Sequence, residues 1–223
     1  MGGKLAVISG FSGAGKGTVI KKLMEEHDGY VLSVSMTTRR PREYERDGVE
    51  YHFVTNETFE GLVRQDGFLE HAGYVDHYYG TPRAFVEENM RAGKTVLLEI
   101  EVQGAMQIRE KFPEAVLIFV APPDAAELQR RLRGRDTEKS DLVIKRLEQA
   151  LTEVRSIPEY PWLVINRDVD DCARDLDRIL SGDPGVCVPQ GGPENAGIIT
   201  DQDRKRSFAQ DFSGGLERVL AES

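Results

Sequence analysis

An apolar, strand-like run, Leu5-Ala6-Val7-Ile8, leads into Gly10-Phe11-Ser12-Gly13-Ala14-Gly15-Lys16-Gly17-Thr18, and an amphipathic helical stretch follows over residues 19–26. A strand that becomes a helix through this many glycines can curl so that its backbone N–H groups point inward. The N-terminus of the following helix adds partial positive charge at the same spot. Lys16 then reaches the β- and γ-phosphates of a nucleoside triphosphate as a point charge. The expected triphosphate-binding residues are Gly10, Ser12, Gly13, Ala14, Gly15, Lys16, Gly17 and Thr18. A chance glycine turn is the competing explanation, and it must also account for strand, spacing, lysine and helix all in register. Where a Ser or Thr usually follows the lysine to meet Mg²⁺, this chain has Gly17.

Further runs repeat the rhythm. Thr95-Val96-Leu97-Leu98-Glu99-Ile100, Ala115-Val116-Leu117-Ile118-Phe119-Val120 and Trp162-Leu163-Val164-Ile165 alternate with helical patterns at 83–92, 124–133 and 170–180, the last with Asp170 as its expected N-cap. Short apolar strands alternating with helices predict an α/β fold, a three-layer core with a parallel sheet covered on both faces. Two segments break the pattern. Residues 30–35, 49–54 and 74–79 alternate polar and apolar, with Asp47-Gly48 as turn chemistry, and predict an inserted antiparallel lobe with a short helix at 58–65. Residues 130–145 are dense in arginine and read as a mobile flap. The expected division is a core of 1–34, 83–125 and 149–181, a lobe of 35–82, a lid of 126–148 and a tail of 182–223. The tail opens with Gly182, Pro184, Gly185, Pro189, Gly191, Gly192 and Pro193, which cannot build a regular core element. Phe208, Phe212, Leu216, Val219 and Leu220 then recur at near-helical spacing, interrupted by Gly214-Gly215, so the tail is either disordered or a docked helix.

Charge narrows the partners. A formal net charge of -9 opposes duplex DNA or RNA as the main partner, because phosphate backbones need clustered cations. No run approaches the ~18 apolar residues of a membrane span, and no signal-peptide layout is visible. A soluble, cytoplasmic protein is expected. Its two cysteines, Cys172 and Cys187, cannot make a disulfide framework and read as packing residues.

Within this acidic chain the arginines cluster. Ser33-Val34-Ser35-Met36-Thr37-Thr38-Arg39-Arg40-Pro41-Arg42-Glu43 is followed by Gly48-Val49-Glu50-Tyr51-His52-Phe53-Val54. The guanidinium forks of Arg39 and Arg42, with the hydroxyls of Tyr51 and Tyr79, suit a phosphate monoester. A solvated basic turn is the plainer alternative.

These blocks resemble the guanylate kinase family, a P-loop nucleoside monophosphate kinase family. The resemblance continues through Phe68-Leu69-Glu70-His71-Ala72, Tyr78-Tyr79-Gly80-Thr81-Pro82, Leu98-Glu99-Ile100-Glu101-Val102-Gln103-Gly104 and Arg131-Leu132-Arg133-Gly134-Arg135, covering about residues 4–180. It implies a P-loop core, an inserted GMP-binding lobe and a small helical arginine lid. The implied activity is transfer of the γ-phosphoryl of ATP to GMP, giving ADP and GDP in purine metabolism, with Mg²⁺ accompanying ATP. Ser35, Glu70 and Thr81 match family residues that hold guanine, and Arg39, Arg42, Tyr51 and Tyr79 match ligands of the GMP phosphate. Guanine offers N1–H and N2–H₂ to one carboxylate, whereas adenine presents a bare acceptor at N1, so Glu70 favours guanine. Glu101 is expected at the guanine amino group. With Thr18 and Glu99 it is also expected near water on Mg²⁺, and no direct protein–metal bond is implied. Lys16, Arg39, Arg131, Arg135 and Arg146 match the residues that neutralise and align the transferring group. Departures are Gly17-Thr18, whose GKGT ending resembles adenylate kinases, the glutamates Glu99 and Glu101, and Asp136 at a position where the family usually has glycine.

Overall fold

The computed structural model describes residues 2–74, 76–134, 140–187 and 197–222. The chain forms two compact units, one of Met1–Val7 with Gly29–Val116 and one of Ile8–Asp28 with Leu117–Ser223. Strand β1 (Leu5–Gly10), wholly buried, contributes its first half to one and its second half to the other.

In the first unit, β2 (Tyr30–Leu32) pairs in parallel with β7 (Thr95–Glu99), Tyr30 opposite Thr95 and Leu32 opposite Leu97. The start of β1 lies on the other side of β7. Residues 30–32, grouped by their pattern with the alternating strands but inside the 1–34 stretch assigned to the core, belong to the parallel sheet. The polar–apolar alternation begins only at Ser33, whose N–H still donates to the Leu97 carbonyl at 2.9 Å.

A second sheet of four strands has the order β4-β3-β6-β5. Its members are β3 (Met36–Thr37), β4 (His52–Phe53), β5 (Phe68–Tyr74) and β6 (His77–Pro82). β6 runs antiparallel to both neighbours, but β3 and β4 are parallel, so the lobe is not purely antiparallel. The strand expected over 49–54 shrinks to two residues because the start of the run turns, the Val49 and Glu50 N–H groups donating to the Arg46 carbonyl at 3.2 and 3.4 Å. Asp47 accepts from Phe53 N–H at 2.8 Å, and Glu50 accepts from Arg46 N–H at 2.7 Å. Helix α2 (Asn56–Arg64) starts two residues earlier than expected, where Thr55 caps Thr58 N–H, and its buried Phe59 stacks on Phe68 with ring centroids 4.4 Å apart. Helices α3 (Arg83–Arg91) and α4 (Val102–Lys111) complete the unit, α3 packing on β7 and α4 on β5.

In the second unit the end of β1 lies beside β8 (Val116–Ala121), which pairs in parallel with β9 (Trp162–Ile165), Ile118 opposite Trp162. These strands carry the continuous apolar runs of a sheet buried on both faces. Helix α1 (Lys16–Glu26) packs against α7 (Val169–Ser181). The α7 cap is Asp168, not Asp170: its backbone is extended, and its carboxylate accepts from the N–H groups of Asp170 and Asp171. Cys172 is buried on α7, and burial pushes its thiol up to about 12, which leaves it inert.

Helix α5 (Ala125–Arg133) is capped by Asp124, and α6 (Ser140–Glu153) runs into a 3₁₀ segment, Val154–Glu159. The tail forms a docked helix. After a two-residue strand β10 (Ile198–Ile199), antiparallel to the edge of β9, α8 (Gln202–Ala221) packs against α5, α6 and the 3₁₀ segment. Gly214 and Gly215 lie inside α8 and do not interrupt it. A Cβ on Gly215 would come within 3.0 Å of the Ala125 side chain, so the glycine lets the two helices approach closely. No helix among the described residues is long and apolar enough to cross a membrane.

Asp168→Ala removes a cap that serves two N–H groups and is expected to cost about 1 kcal/mol of stability. Asp170→Ala removes only an exposed ion pair to Lys22 and is expected to cost less. Urea denaturation of both variants, compared at unchanged m-value, checks the order.

Candidate active site

The second unit holds the glycine loop. Gly10 has φ 144° and lies against the Val120 carbonyl, where a Cβ would overlap it. Gly15, φ 90°, is the N-cap of α1 and lies against the Asn166 amide. Both positions combine a backbone shape unfavourable to L side chains with no space for one. Lys16 folds across the loop, donating to the Gly10 carbonyl at 2.8 Å and the Phe11 carbonyl at 3.2 Å. Gly17 and Thr18 are exposed on the first turn of α1, and Ser12 is half-buried.

Arg131, on α5, is tied to this loop. It donates to the Ala14 carbonyl at 3.1 Å, the Asn166 carbonyl at 2.8 Å and the Glu127 carboxylate at 2.7 Å. Asn166 donates in turn to the Ala14 carbonyl at 2.8 Å, and its buried Oδ1 has no hydrogen-bond partner. Sequence reasoning missed Asn166. Its only signal is a polar residue directly after the apolar run of β9. Glu127, sandwiched by Arg130 and Arg131, is held down to about 2 by its hydrogen bonds from these two guanidiniums. Arg130 is exposed and pairs with Glu127. Arg146 lies half-buried on α6. Arg135 and Asp136 lie outside the described residues.

The first unit holds a different constellation. Glu70 on β5 is 4% exposed and Thr81 on β6 is fully buried. The β5–β6 register, His71 opposite Gly80, brings them side by side, and Thr81 Oγ1 donates to Glu70 Oε1 at 2.6 Å. Burial pushes the Glu70 carboxyl above the usual carboxylate range, while Thr81 and the nearby charge of Lys111 pull it part of the way back. Gly104 on α4 makes the room: a Cβ there would overlap Glu70 Oε2. Its importance is invisible in the sequence, because the constraint comes from a contact across the fold.

Arg39 is gripped by Glu45 in a two-pronged bridge, Nη1–Oε2 at 2.9 Å and Nη2–Oε1 at 2.8 Å. Glu45 also accepts the Arg42 N–H at 2.8 Å. These hydrogen bonds, first that from Arg39, hold the Glu45 carboxyl below its usual range. Glu45 was not foreseen either; it matches no motif spacing, and only the fold brings it under Arg39. The Arg39 guanidinium lies 5.5 Å from the centre of the Tyr51 ring, and Tyr51 packs edge-on against Tyr79 at 5.8 Å. Burial pushes the Tyr51 hydroxyl up to about 12, helped by Tyr79 and by the negative charges of Glu99 and Glu101. Arg42 is more exposed and donates to Tyr44 at 3.1 Å. Ser35 is half-buried just ahead of β3. Glu99 ends β7 and Glu101 is the N-cap residue of α4, both exposed. Thus Arg39, Tyr51 and Tyr79 come together, as do Glu70 and Thr81.

Comparison with known proteins gives one answer. The guanylate kinase family model matches residues 2–183. A guanylate kinase of Thermus thermophilus is 50% identical over 183 residues, 82% of this chain and 83% of that protein. One from Latilactobacillus sakei subsp. sakei is 46% identical over 182 residues, 81% of this chain and 90% of that one. The crystal structure of guanylate kinase from Anaplasma phagocytophilum aligns with a TM-score of 0.68 at 33% identity, covering 82% of this chain and 86% of that one.

The Glu70–Thr81 contact is open to direct measurement. Carboxyl ¹³C NMR should show Glu70 titrating above the ordinary 4.5 for glutamate. In Thr81→Val the midpoint should move higher still, because the hydrogen bond to the ionised form is gone. A midpoint that stays in place or falls contradicts the arrangement.

Proposed function

This chain belongs to the guanylate kinase family and transfers a phosphoryl group from ATP to GMP, and we propose that its two units divide the substrates, the glycine loop taking ATP and the Glu70–Arg39 surface taking GMP. The observation that carries this division is a buried carboxylate, Glu70, bonded to Thr81 in one unit, while the loop and Lys16 belong to the other.

On the ATP side, the N–H groups of residues 12–16 and the start of α1 suit the β- and γ-phosphates. Lys16 already spans the loop, so its ammonium needs only to exchange carbonyl partners for phosphate oxygens. Arg131, held by Ala14, Asn166 and Glu127, supplies a second, pre-aimed cation. Arg135 and Arg146 are assigned to the same charge neutralisation, within a lid of 126–148. Mg²⁺ supplies charge neutralisation when bound with ATP. It keeps much of its own water, and this chain fits an ion held by phosphates: Gly17 lacks an oxygen side chain, and the exposed Thr18 hydroxyl suits a contact through water.

On the GMP side, within a lobe of 35–82, Glu70 accepts guanine N1–H and N2–H₂ with Thr81 and Ser35 beside it, and Glu101 receives the amino group. Such a site rejects a base that lacks those donors, because the carboxylate would be left unpaired. Arg39 keeps its plane by its bridge to Glu45 and offers its remaining N–H groups to the GMP phosphate with Arg42. Tyr51, pushed up to about 12, stays protonated and donates with Tyr79. No general base is required, since the GMP phosphate is already a nucleophile, and catalysis is alignment plus charge neutralisation. ATP and GMP are cytoplasmic solutes, which favours a cytoplasmic enzyme.

Two outcomes test the division. Lys16→Ala should lower kcat at least ~10²-fold in a folded protein, the scale of losing one charge-stabilising donor; near-normal turnover contradicts the ATP assignment. Glu70→Gln should raise the KM for GMP about 10²-fold while ATP affinity stays unchanged. Because the Glu70 carboxyl titrates above its usual range and must be ionised to accept from guanine, GMP binding should weaken as pH falls through that raised midpoint. The Gln variant should lack this low-pH limb.

A further inference from the structure

The family match ends at residue 183, whereas the chain continues through β10 and α8. The extension reaches the glycine loop. Phe212 of α8 stacks on Phe11, the loop residue between Gly10 and Ser12, with ring centroids 4.7 Å apart and planes 17° apart. Phe11 also makes an edge-to-face contact with Phe119 on β8, centroids 5.0 Å apart. Phe11 is fully buried and Phe212 is 3% exposed. Two further contacts hold α8 in place. Lys205, fully buried, donates to the Tyr160 carbonyl at 2.6 Å and the Pro161 carbonyl at 3.3 Å, just ahead of β9. Gly215 sits against Ala125, in the first turn of the helix that carries Arg131.

We propose that α8 is an intramolecular brace for the ATP-binding half, and that Phe212 is a positioning residue acting on the glycine loop through Phe11. The physical reason is preorganisation. A loop that cradles phosphates with backbone N–H groups works only if those groups are already aimed, within about 0.5 Å. Gly10 is backed by the Val120 carbonyl, and the Phe11 ring packs against both Phe119 and Phe212. Removing the Phe212 ring opens a void beside Phe11, which then keeps only one of its two ring contacts. None of the residues in this contact belongs to the GMP-side constellation, so its loss should be felt on ATP alone.

This inference rests on the loop being the ATP site, and the experiment separates the two. ATP·Mg and GMP are each titrated calorimetrically into the full-length Phe212→Ala variant, with the fold checked by circular dichroism. The ATP Kd should rise about tenfold, equivalent to ~1.4 kcal/mol, with the GMP Kd changed less than about twofold. Phe212→Leu, which keeps most of the apolar bulk, should recover part of the loss. Combining Phe11→Leu with Phe212→Leu should cost less than the sum of the single effects, since both act through one contact. An unchanged ATP Kd, or equal losses for both nucleotides, overturns the proposal. If Phe212→Ala does not fold, Phe212→Leu is read by the same criteria. Should Lys16→Ala retain turnover, the ATP assignment of the loop fails; should Lys16→Ala be inactive while Phe212→Ala binds ATP normally, only the brace fails.

Discussion

A carbonyl and a glycine facing one another, Val120 and Gly10, limit how β1 can leave its sheet, and the donor half of the enzyme follows from that limit. With no side chain tolerated at Gly10, the strand can end close against β8 and turn back toward α1. Gly15 then lies against the Asn166 side-chain amide, so the loop is held by β8 at Gly10 and by the residue after β9 at Gly15. Lys16 and Arg131 both bond to carbonyls of this loop. Their charges are therefore placed by the backbone proposed to hold the phosphates, so that little reorganisation would remain when a highly charged ligand arrives.

The acceptor half solves a different problem, burying charge without leaving it uncompensated. Glu70 is almost fully enclosed, and the Thr81 hydroxyl and backbone, with the charge of Lys111, offset part of its desolvation. The carboxylate is costly in the free protein, and in the proposed GMP site it would gain partners from a base with two donors on one edge, which would select guanine. Arg39 is treated in the opposite way. Its bridge to Glu45 satisfies one edge of the guanidinium and fixes its plane over Tyr51. Removing Glu45 would leave the cation in reach but unaimed. Arg42, more exposed, has a weaker hold.

Much of this was legible in the chain itself. The apolar runs that became β1, β7, β8 and β9 are dense enough in β-branched and aliphatic residues to be read without ambiguity, and the glycine–lysine loop carries its chemistry in its spacing. The misreadings have specific causes. Tyr30–Leu32 is short and only half-buried, so its pattern groups it with the alternating strands even though it lies in the stretch assigned to the core. Asp170 and Asp168 are equally good caps by type; backbone shape decided for Asp168. Gly214-Gly215 looked like a helix break, yet a close neighbour, Ala125, made a glycine the residue that fits. Glu45, Asn166 and Gly104 act through contacts distant in sequence or set by a turn, and no periodicity or motif could point to them.

The proposed mechanism requires two nucleotide sites to coexist in one chain. The most direct measurement is calorimetric titration of GMP into the protein first saturated with Mg²⁺ and a non-hydrolysable ATP analogue. The expected result is one GMP bound per chain, with the analogue still in place. Displacement of the analogue by GMP, or no binding of GMP until the analogue is removed, would show a single shared site and contradict the division on which every residue assignment above depends.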